Sequence, residues 1–453
     1  MSIPDKLIQS LKGLPGFDQQ AFTDAHAKDM FLTSIRVNPA KRPVSLLPGT
    51  EKSPVPWSAY GYYLEQRPSF TFDPLFHAGC YYVQEASSMF LEQALRQVAD
   101  LGKPLRVLDL SAAPGGKSTH IQSLISADSL LVSNEVIRSR ANTLRDNIIK
   151  WGSSNVIVTH NDPRDFSRLE NFFDIIVVDA PCSGSGLFRR EPEAVENWSE
   201  NNVQLCAQRQ QRIVADVWPA LKAEGILIYS TCSYSREEDE EITDWMIQSM
   251  NASCIELHVE EKWGIEPVKT NRGGWGYRFW PHRLQGEGFY LAAVKKNDDS
   301  GGRKLKTKSK QQGLIKSEKD ILMQWMDTDS FEFVKYQNTV YAWPASLAGD
   351  LQIILSEMRT IYSGTLIGDL IRNKLIPEHA FALSATITPR QGSISLDLQQ
   401  AIAYLQRKDL QLANNETGWK RVLYEGFSLG WINILTNRIN NYYPKELRIL
   451  KDI

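Results

Sequence analysis

Long hydrophobic runs are missing from this sequence. None of its 453 residues lies in an apolar stretch of about 18 or more, the length that crosses a bilayer. The opening, MSIPDKLIQSLKGLPG, has no apolar core of the kind a secretory leader carries. The chain therefore reads as soluble and unprocessed. Cysteine is scarce, with five residues at 80, 182, 206, 232 and 254 and no CxxC pair. A dispersed, odd set excludes a disulfide framework and points to reduced thiols in a cytoplasmic setting. The seven histidines form no HxxxH or Cys/His cluster, so no metal site is expected. Neither sign of charge prevails, 51 Lys and Arg standing against 53 Asp and Glu for a net charge of -2, so the overall balance announces no nucleic-acid partner. G-x-G-x-x-G and the full spacing of a phosphate-binding loop are both lacking, which argues against dinucleotide hydride transfer and ATP hydrolysis. No repeat at solenoid spacing occurs.

What the sequence does contain is concentrated in Leu105–Ile121, LRVLDLSAAPGGKSTHI. Residues 106–110 are a short apolar run with polar flanks, the pattern of a buried parallel strand. The turn that follows, Ser111, Ala112, Ala113, Pro114, Gly115, Gly116 and Lys117, is almost bare of side chains, so something large lies against its backbone. From Lys117 the pattern turns helical, with Ser118 or Thr119 able to cap free N–H groups. A strand, a bare turn and a helix N-terminus make the nucleotide-cofactor corner of a doubly wound α/β sheet. The remaining pattern agrees. Strands are expected at 105–110, 130–135, 155–160, 173–179 and 225–231, with helices at 118–126, 138–151, 202–221 and 236–249 and a closing edge strand over 286–294. That alternation implies a parallel sheet with helices on both faces.

Four regions follow. Residues 1–100 mix short elements with many prolines and read as an N-terminal accessory domain. Residues 101–297 hold the alternating pattern, and 298–312 form a basic, glycine-containing linker, either a solvated connector or a phosphate-contacting arm. Residues 313–453 carry their own tryptophans and strand signals, the mark of a small α+β or β-barrel domain. Its tail places Arg438, Lys445, Arg448 and Lys451 around Tyr442 and Tyr443. That mixture suits stacking on bases while neutralising phosphates, or equally a packed segment with snorkelling basic ends.

In an open parallel sheet, ligands bind beyond the carboxyl ends of the strands, and the polar residues gather there. After the second strand stands Glu135, placed to accept ribose hydroxyls; after the third, Asp162, within reach of an adenine amine. Either could instead be a helix cap. After the fourth come Asp179-Ala180-Pro181-Cys182, and after the fifth Thr231-Cys232-Ser233. Each thiol alone could be a small buried hydrophobe. The fourth and fifth strands are neighbours in this topology, however, so both thiols face one crevice. A thiol beside an adenosine-type cofactor suits attack on C6 of a pyrimidine, which makes C5 nucleophilic. Around this centre, Arg189 and Arg190 read as phosphate contacts or surface charge, and Lys117 as a loop-ordering or RNA-facing cation. Gln84 and Glu85 read as a helix start or, as the family resemblance below implies, as cofactor neighbours, and His282 as structural.

LDLSAAPGGKSTHI, DAPCSGSGLFRREPE and GILIYSTCSYSREEDEEI together resemble the Nol1/Nop2/Sun family of RNA cytosine-5 methyltransferases, over about residues 81–296. The resemblance implies a class I, Rossmann-like methyltransferase using S-adenosylmethionine, with a PUA-type RNA-binding region at the C-terminus and RNA, ribosomal RNA of the small subunit in particular, as partner. It assigns Ser111–Lys117 to the cofactor loop, Glu135 to the ribose, Asp162 to the adenine, and Asp179 to the space between methyl donor and target base. It makes Cys232 the nucleophile and Cys182 the thiol that helps release product. The physics of the sequence does not choose between the thiols, because DNA cytosine-5 methyltransferases use the Pro-Cys one. Ser111 stands where the family commonly has Cys; the side chain stays small. Transfer RNA methylation, DNA cytosine methylation and a non-catalytic RNA-binding assembly factor are the competing readings.

Overall fold

In the computed structural model, residues 3–28, 32–42, 52–298, 313–412 and 416–451 are described. The linker expected at 298–312 lies outside them, apart from Asp298.

Strands β1 (Thr33–Val37), β2 (Lys52–Pro54), β3 (Gly61–Leu64) and β4 (Tyr81–Val83) form an N-terminal sheet in the order β2-β3-β1-β4. The chain then enters a larger sheet through β5 (Arg106–Asp109), β6 (Leu130–Asn134), β7 (Val156–Thr159), β8 (Phe173–Asp179) and β9 (Leu221–Thr231). These five pair in parallel in the order β7-β6-β5-β8-β9. Strands β10 (Ala252–Ile255), β11 (Glu266–Lys269), β12 (Trp275–Phe279) and β13 (Phe289–Lys296) extend it antiparallel beyond β9. The segment expected to close the sheet, β13, is therefore an interior strand flanked by β9, β12 and β10. The aromatic Trp275–Phe279 stretch supplies a further strand outside it.

Helix boundaries shift for local reasons. The helix Glu200–Val217 stops short of 221 because Pro219, which has no N–H to donate, sits in the turn Trp218–Ala220; β9 starts at once at Leu221. The helix expected from 236 begins at Glu240, after a single 3-10 turn over Arg236–Glu238. The glycine-loop helix spans Gly116–Gln122.

Alternate strand residues feed opposite faces. Val107, Leu131, Val158, Val177 and Ile228 pack under Phe90, Leu95, Ile121, Leu144 and Ile148. Leu108, Val132, Ile157, Ile176 and Leu227 pack against Val214, Val217, Ile242 and Met246. The link from β7 to β8 is only the 3-10 turn Pro163–Leu169, too short to cover its share of this second face. The C-terminal region covers it instead. Its helix Ala348–Glu357 inserts Leu351 and Ile354, and Trp343 and Met358 join them.

That region begins with β14 (Phe331–Tyr336) and β15 (Thr339–Pro344), and β16 (Thr360–Ser363) adds antiparallel to β7 as the tenth strand of the large sheet. β17 (Thr365–Ile371) and β18 (Lys374–Pro377) complete the sheet β14-β15-β17-β18. β19 (Ser393–Ser395), β20 (Gly418–Tyr424), β21 (Phe427–Ile434) and β22 (Ile439–Asn441) make a last sheet. This last sheet packs on the first: Ala401, Tyr404, Val422 and Ile432 share a core with Ile35, Leu64, Leu75 and Tyr81. At the other end of the chain, Leu7, Leu11 and Phe22 pack on Phe188, Tyr234 and Trp280. No described helix is long and apolar enough to cross a membrane.

Two expectations follow from this packing. A chain ending at Asp298 leaves β7 as a bare edge and uncovers an apolar face. It is expected to be insoluble or to melt well below the full chain. Leu351→Ala alone should cost about 2–5 kcal/mol in denaturant unfolding followed by tryptophan fluorescence. The second concerns acid. Burial lowers the imidazole of His26 to about 4, of His120 to about 4 and of His379 to about 3. These rings stay neutral in the fold, while the unfolded chain takes up their protons below about pH 6.5. Their stabilising share is thus present above pH 6.5 and lost as pH falls through about 4. The melting temperature should fall over that window, and His379→Leu should lessen the fall.

Candidate active site

The bare turn after β5 is held by the tips of its neighbours. Asn134, ending β6, donates from Nδ2 to Leu110 O (3.1 Å) and Asn161 O (3.0 Å), and its Oδ1 accepts from Thr159 Oγ1 (2.9 Å) and Asn161 N (3.0 Å). One amide side chain thereby ties three strand ends, and Ala112 N donates to Asn134 O at 2.8 Å. Gly115 precedes the helix at φ 120°, a conformation open to glycine but not to residues with a Cβ. From the N-terminal sheet, the buried Arg36 reaches the same helix. It donates to Thr119 Oγ1 (2.6 Å), Gly116 O (3.3 Å) and Ser123 Oγ (3.1 Å), to Gln84 Oε1 (2.9 Å), and stacks on Trp151. Desolvation lowers its pKa to about 9. Arg36 was not singled out in the sequence; nothing in Arg36-Val37-Asn38-Pro39 distinguishes a buried cation from a surface one.

A cavity of about 190 Å³ opens between this loop and β4, lined by Tyr82, Gln84, Ser111, Pro114, Lys117 and Asp179 among others. Two buried carboxylate oxygens at the strand tips have no hydrogen-bond partner, Asp109 Oδ1 and Glu135 Oε2. Burial pushes the Asp109 carboxyl up to about 7 against the Ser118 and Lys117 contacts that oppose it. Glu135 Oε1 accepts from Ile137 N at 2.9 Å, and Oε2 faces Arg140 Nη1 at 3.4 Å. Val136 and Ile137, beside it, are about half exposed, an apolar shelf at the rim. A side-chain-free cradle, an unmet Asp109 oxygen, a Glu135 oxygen held only by the Arg140 ion pair and an apolar shelf fit an adenosine-type cofactor. Asp162 serves the local chain: its Oδ1 accepts from Arg164 N (3.2 Å) and it caps the turn Pro163–Leu169, while its side chain stays partly exposed toward solvent.

The two thiols meet. Cys182 Sγ and Cys232 Sγ are 3.0 Å apart, and both residues are half-buried. Their loops are laced together by Gly186 N donating to Cys232 O (2.9 Å) and Gly288 N donating to Gly186 O (3.1 Å). A Cβ at Gly186 would stand 2.4 Å from Gly288 O and 2.8 Å from Cys232 O, so this position needs glycine. Asp179 lies at the same mouth, accepting from Ser230 Oγ (2.9 Å) and pairing with Lys117 Nζ (2.8 Å). Burial pulls the Lys117 ammonium down, but Asp179, then Asp109 and Cys232, outweigh it and the net shift is upward. The hydrogen bond with Cys232, then burial and nearby negative charge, push the Cys182 thiol well up.

The flanking residues divide. Gln84 and Glu85 both line the cavity, and Glu85 also starts the following turn, accepting from Ser87 N, Ser88 N and Glu287 N. Arg189 is turned inward, donating to Gly286 O (3.3 Å) and facing Glu287 (3.8 Å), so it is not a solvated surface charge. His282 bonds Gly16 O and packs beside Phe22 and Trp280, a structural place. In the tail, Tyr443 is buried against His379 and Tyr404, while Tyr442 is partly exposed beside Trp419. Tyr442, Arg407, Lys408 and Lys445 border a surface cavity of about 620 Å³.

Five parallel strands in this order, a glycine corner after β5 and an acid after β6 form a Rossmann-like cofactor fold, and likeness to known methyltransferases makes it that of an S-adenosylmethionine-dependent methyltransferase. Solved structures share the arrangement. A methyltransferase homolog protein from Pyrococcus horikoshii is 28% identical with a TM-score of 0.52, covering 65% of this chain and 100% of that one. NSun6 from Pyrococcus horikoshii matches in fold at 20% identity, TM-score 0.55, over 65% of this chain and 99% of that one. Family models match in three places: 16S rRNA methyltransferase RsmB/F over 98–295, the N-terminal domain of 16S rRNA methyltransferase RsmF over 3–86, and the methyltransferase RsmF PUA domain over 391–449. Ribosomal RNA small subunit methyltransferase F of Shewanella piezotolerans is 31% identical over 436 residues, 91% of this chain and 90% of that protein. Its Vibrio vulnificus counterpart is 30% identical over 472 residues, 98% of this chain and 97% of its own length. The chain belongs to the ribosomal RNA small subunit methyltransferase F family.

The sulfur distance has a direct check. Brief treatment of the native protein with diamide should join Cys182 to Cys232, read as a cross-linked peptide pair by mass spectrometry, before Cys80, Cys206 or Cys254 are modified. A different first partner for either thiol would contradict the geometry.

Proposed function

We propose that this protein methylates C5 of a cytosine in 16S ribosomal RNA of the small subunit, through a transient covalent bond between Cys232 and C6 of the base. The observation that carries the reading is the meeting of two thiols, 3.0 Å apart, beside the Lys117–Asp179 pair at the mouth of the cofactor cavity. Family membership supports the ribosomal substrate through the relatives' names, and the match to a PUA domain supports an RNA partner.

When bound, S-adenosylmethionine supplies an electrophilic methyl group. The loop Ser111–Lys117 would cradle it, with Glu135 toward the ribose and Asp162 at the adenine end. The chain's own work is on the base. Cytosine must leave its stack, at a cost of a few kcal/mol, to enter the crevice. Asp179 would accept from the exocyclic amine of the cytosine and hold the ring in place as the Cys232 sulfur bonds to C6. The electron pair of the C5–C6 double bond is thereby displaced toward C5, which becomes a carbon nucleophile. After methylation a base takes the C5 proton, the double bond re-forms, and the C6–S bond breaks with Cys182 assisting release of the Cys232 sulfur.

Cys232→Ala should abolish methyl transfer to small-subunit RNA, a loss of about 10³-fold or more. Cys182→Ala should retain attack and accumulate a covalent protein–RNA adduct on a denaturing gel. Turnover by the first variant, or absence of adduct with the second, would sink these roles. Bisulfite mapping of small-subunit RNA from cells lacking the protein should show the loss of a 5-methylcytosine.

A further inference from the structure

The acidic run after the second thiol, Arg236-Glu237-Glu238-Asp239-Glu240-Glu241, reads in sequence as a solvated surface, yet Glu238, Asp239 and Glu240 are all buried. Glu240 is answered by Arg278, which donates from Nε and Nη2 at 2.5 Å each, and Asp239 faces the same guanidinium at 3.4 Å while accepting from Thr231 Oγ1 at 2.6 Å. Glu238 is met by neutral donors from both thiol loops. Its Oε1 accepts from Ser183 N (2.8 Å) and Gln210 Nε2 (3.1 Å); its Oε2 accepts from Ser183 Oγ (2.5 Å) and Ser233 Oγ (2.7 Å). Gln210 Nε2 also donates to Pro181 O at 3.1 Å. The serines that follow Cys182 and Cys232 thus hook onto one carboxylate.

Burial raises the Glu238 carboxyl above its usual range, and the donors from Ser183, Ser233 and Gln210 oppose that shift. Oε1 faces two N–H donors, which leaves no acceptor for a proton on that oxygen. Ser233 Oγ accepts from Ser235 N (3.0 Å) and stands 2.7 Å from Oε2. Four donors favour the ionised form of Glu238 against that burial, and the carboxylate is taken as charged. The surrounding charges are unequal for the two sulfurs. Two of the four bonds run to Ser183, next to Cys182, and the negative charge of Glu238 bears on that thiol. The Lys117 ammonium interacts with Cys232 and pairs with Asp179.

We propose that Glu238 is a positioning residue that makes the paired thiols unequal: it clamps both Cys–Ser steps and keeps the shared proton on Cys182, so that the Cys182 thiol donates to the Cys232 sulfur. This rests on the reading of Cys232 as the nucleophile, and it supplies the choice between thiols that the sequence leaves open. Glu238 touches neither base nor cofactor; it acts through the two loops.

The test follows iodoacetamide modification of Cys182 and Cys232 across pH 6 to 10 in the full-length protein, read peptide by peptide by mass spectrometry. S-adenosylmethionine affinity by calorimetry and the melting temperature serve as folding controls. In the wild type, Cys232 should react first and Cys182 only at higher pH. In Glu238→Gln, the midpoint for Cys182 should drop by about one pH unit, kcat should fall about tenfold, and cofactor affinity should hold within about twofold. Glu238→Asp, which keeps the charge, should restore the wild-type order. An unchanged Cys182 profile in Glu238→Gln overturns the proposal. So does a wild-type protein whose Cys182 reacts before Cys232, a result that decides the matter even if the variant does not fold. Methylation by Cys232→Ala would instead remove the catalytic reading while leaving the alkylation profile to stand by itself.

Discussion

Everything at this site depends on β8 and β9 running side by side, with Asp179 opposite Ser230 in the register. A parallel pair in one register sends both chains off the same edge of the sheet. The residues two and three positions beyond that edge, Cys232 and Cys182, must then descend into one crevice. The loops add what the strands cannot. Gly186 approaches the Cys232 carbonyl closely enough to bond it, and Gly288 closes from the other side. Two sulfurs brought to 3.0 Å by backbone pairing need no flexible side chain to find each other.

Around this pairing the protein buries charge. Arg36 sits under the glycine-loop helix, Arg278 between Asp239 and Glu240, and Glu238 beneath both thiol loops. Buried ions are weak contributors to stability, because desolvation offsets much of the attraction. Their value here is geometric. Each one reaches a segment far from its own in sequence, Arg36 joining the N-terminal sheet to the cofactor helix across more than eighty residues. A hydrophobic substitute would fill the space without specifying the register.

The accessory regions also form part of the catalytic frame. A short link between β7 and β8 leaves a strand edge and an apolar face uncovered, and β16 with the helix Ala348–Glu357 fills both. The backbone of Arg359 is bonded to His160 N and to Asn161 Oδ1, one residue from Asp162. The last sheet in turn rests on the first. The N-terminal, central and C-terminal parts of this chain therefore share cores rather than a tether alone.

Local pattern carried the sheet. Apolar runs such as 106–109 and 173–179, the bare turn at 111–117 and turn residues between them determine strands, corner and helices within a few positions, because those preferences act between near neighbours. They determine that two thiols end adjacent strands, since the order of a right-handed α/β sheet follows from the alternation. They could not place β13 inside the sheet, because its outer neighbour β12 lies in an aromatic stretch with no distinct strand signal. Nor could they show that Glu238 faces inward while Glu237 does not, or that Arg36 caps a helix and Arg189 turns away from solvent. A charged side chain looks the same in sequence whether water or a partner from a remote segment satisfies it. Only the folded chain supplies that partner, so burial, pairing and the inequality of the two sulfurs belong to the tertiary structure.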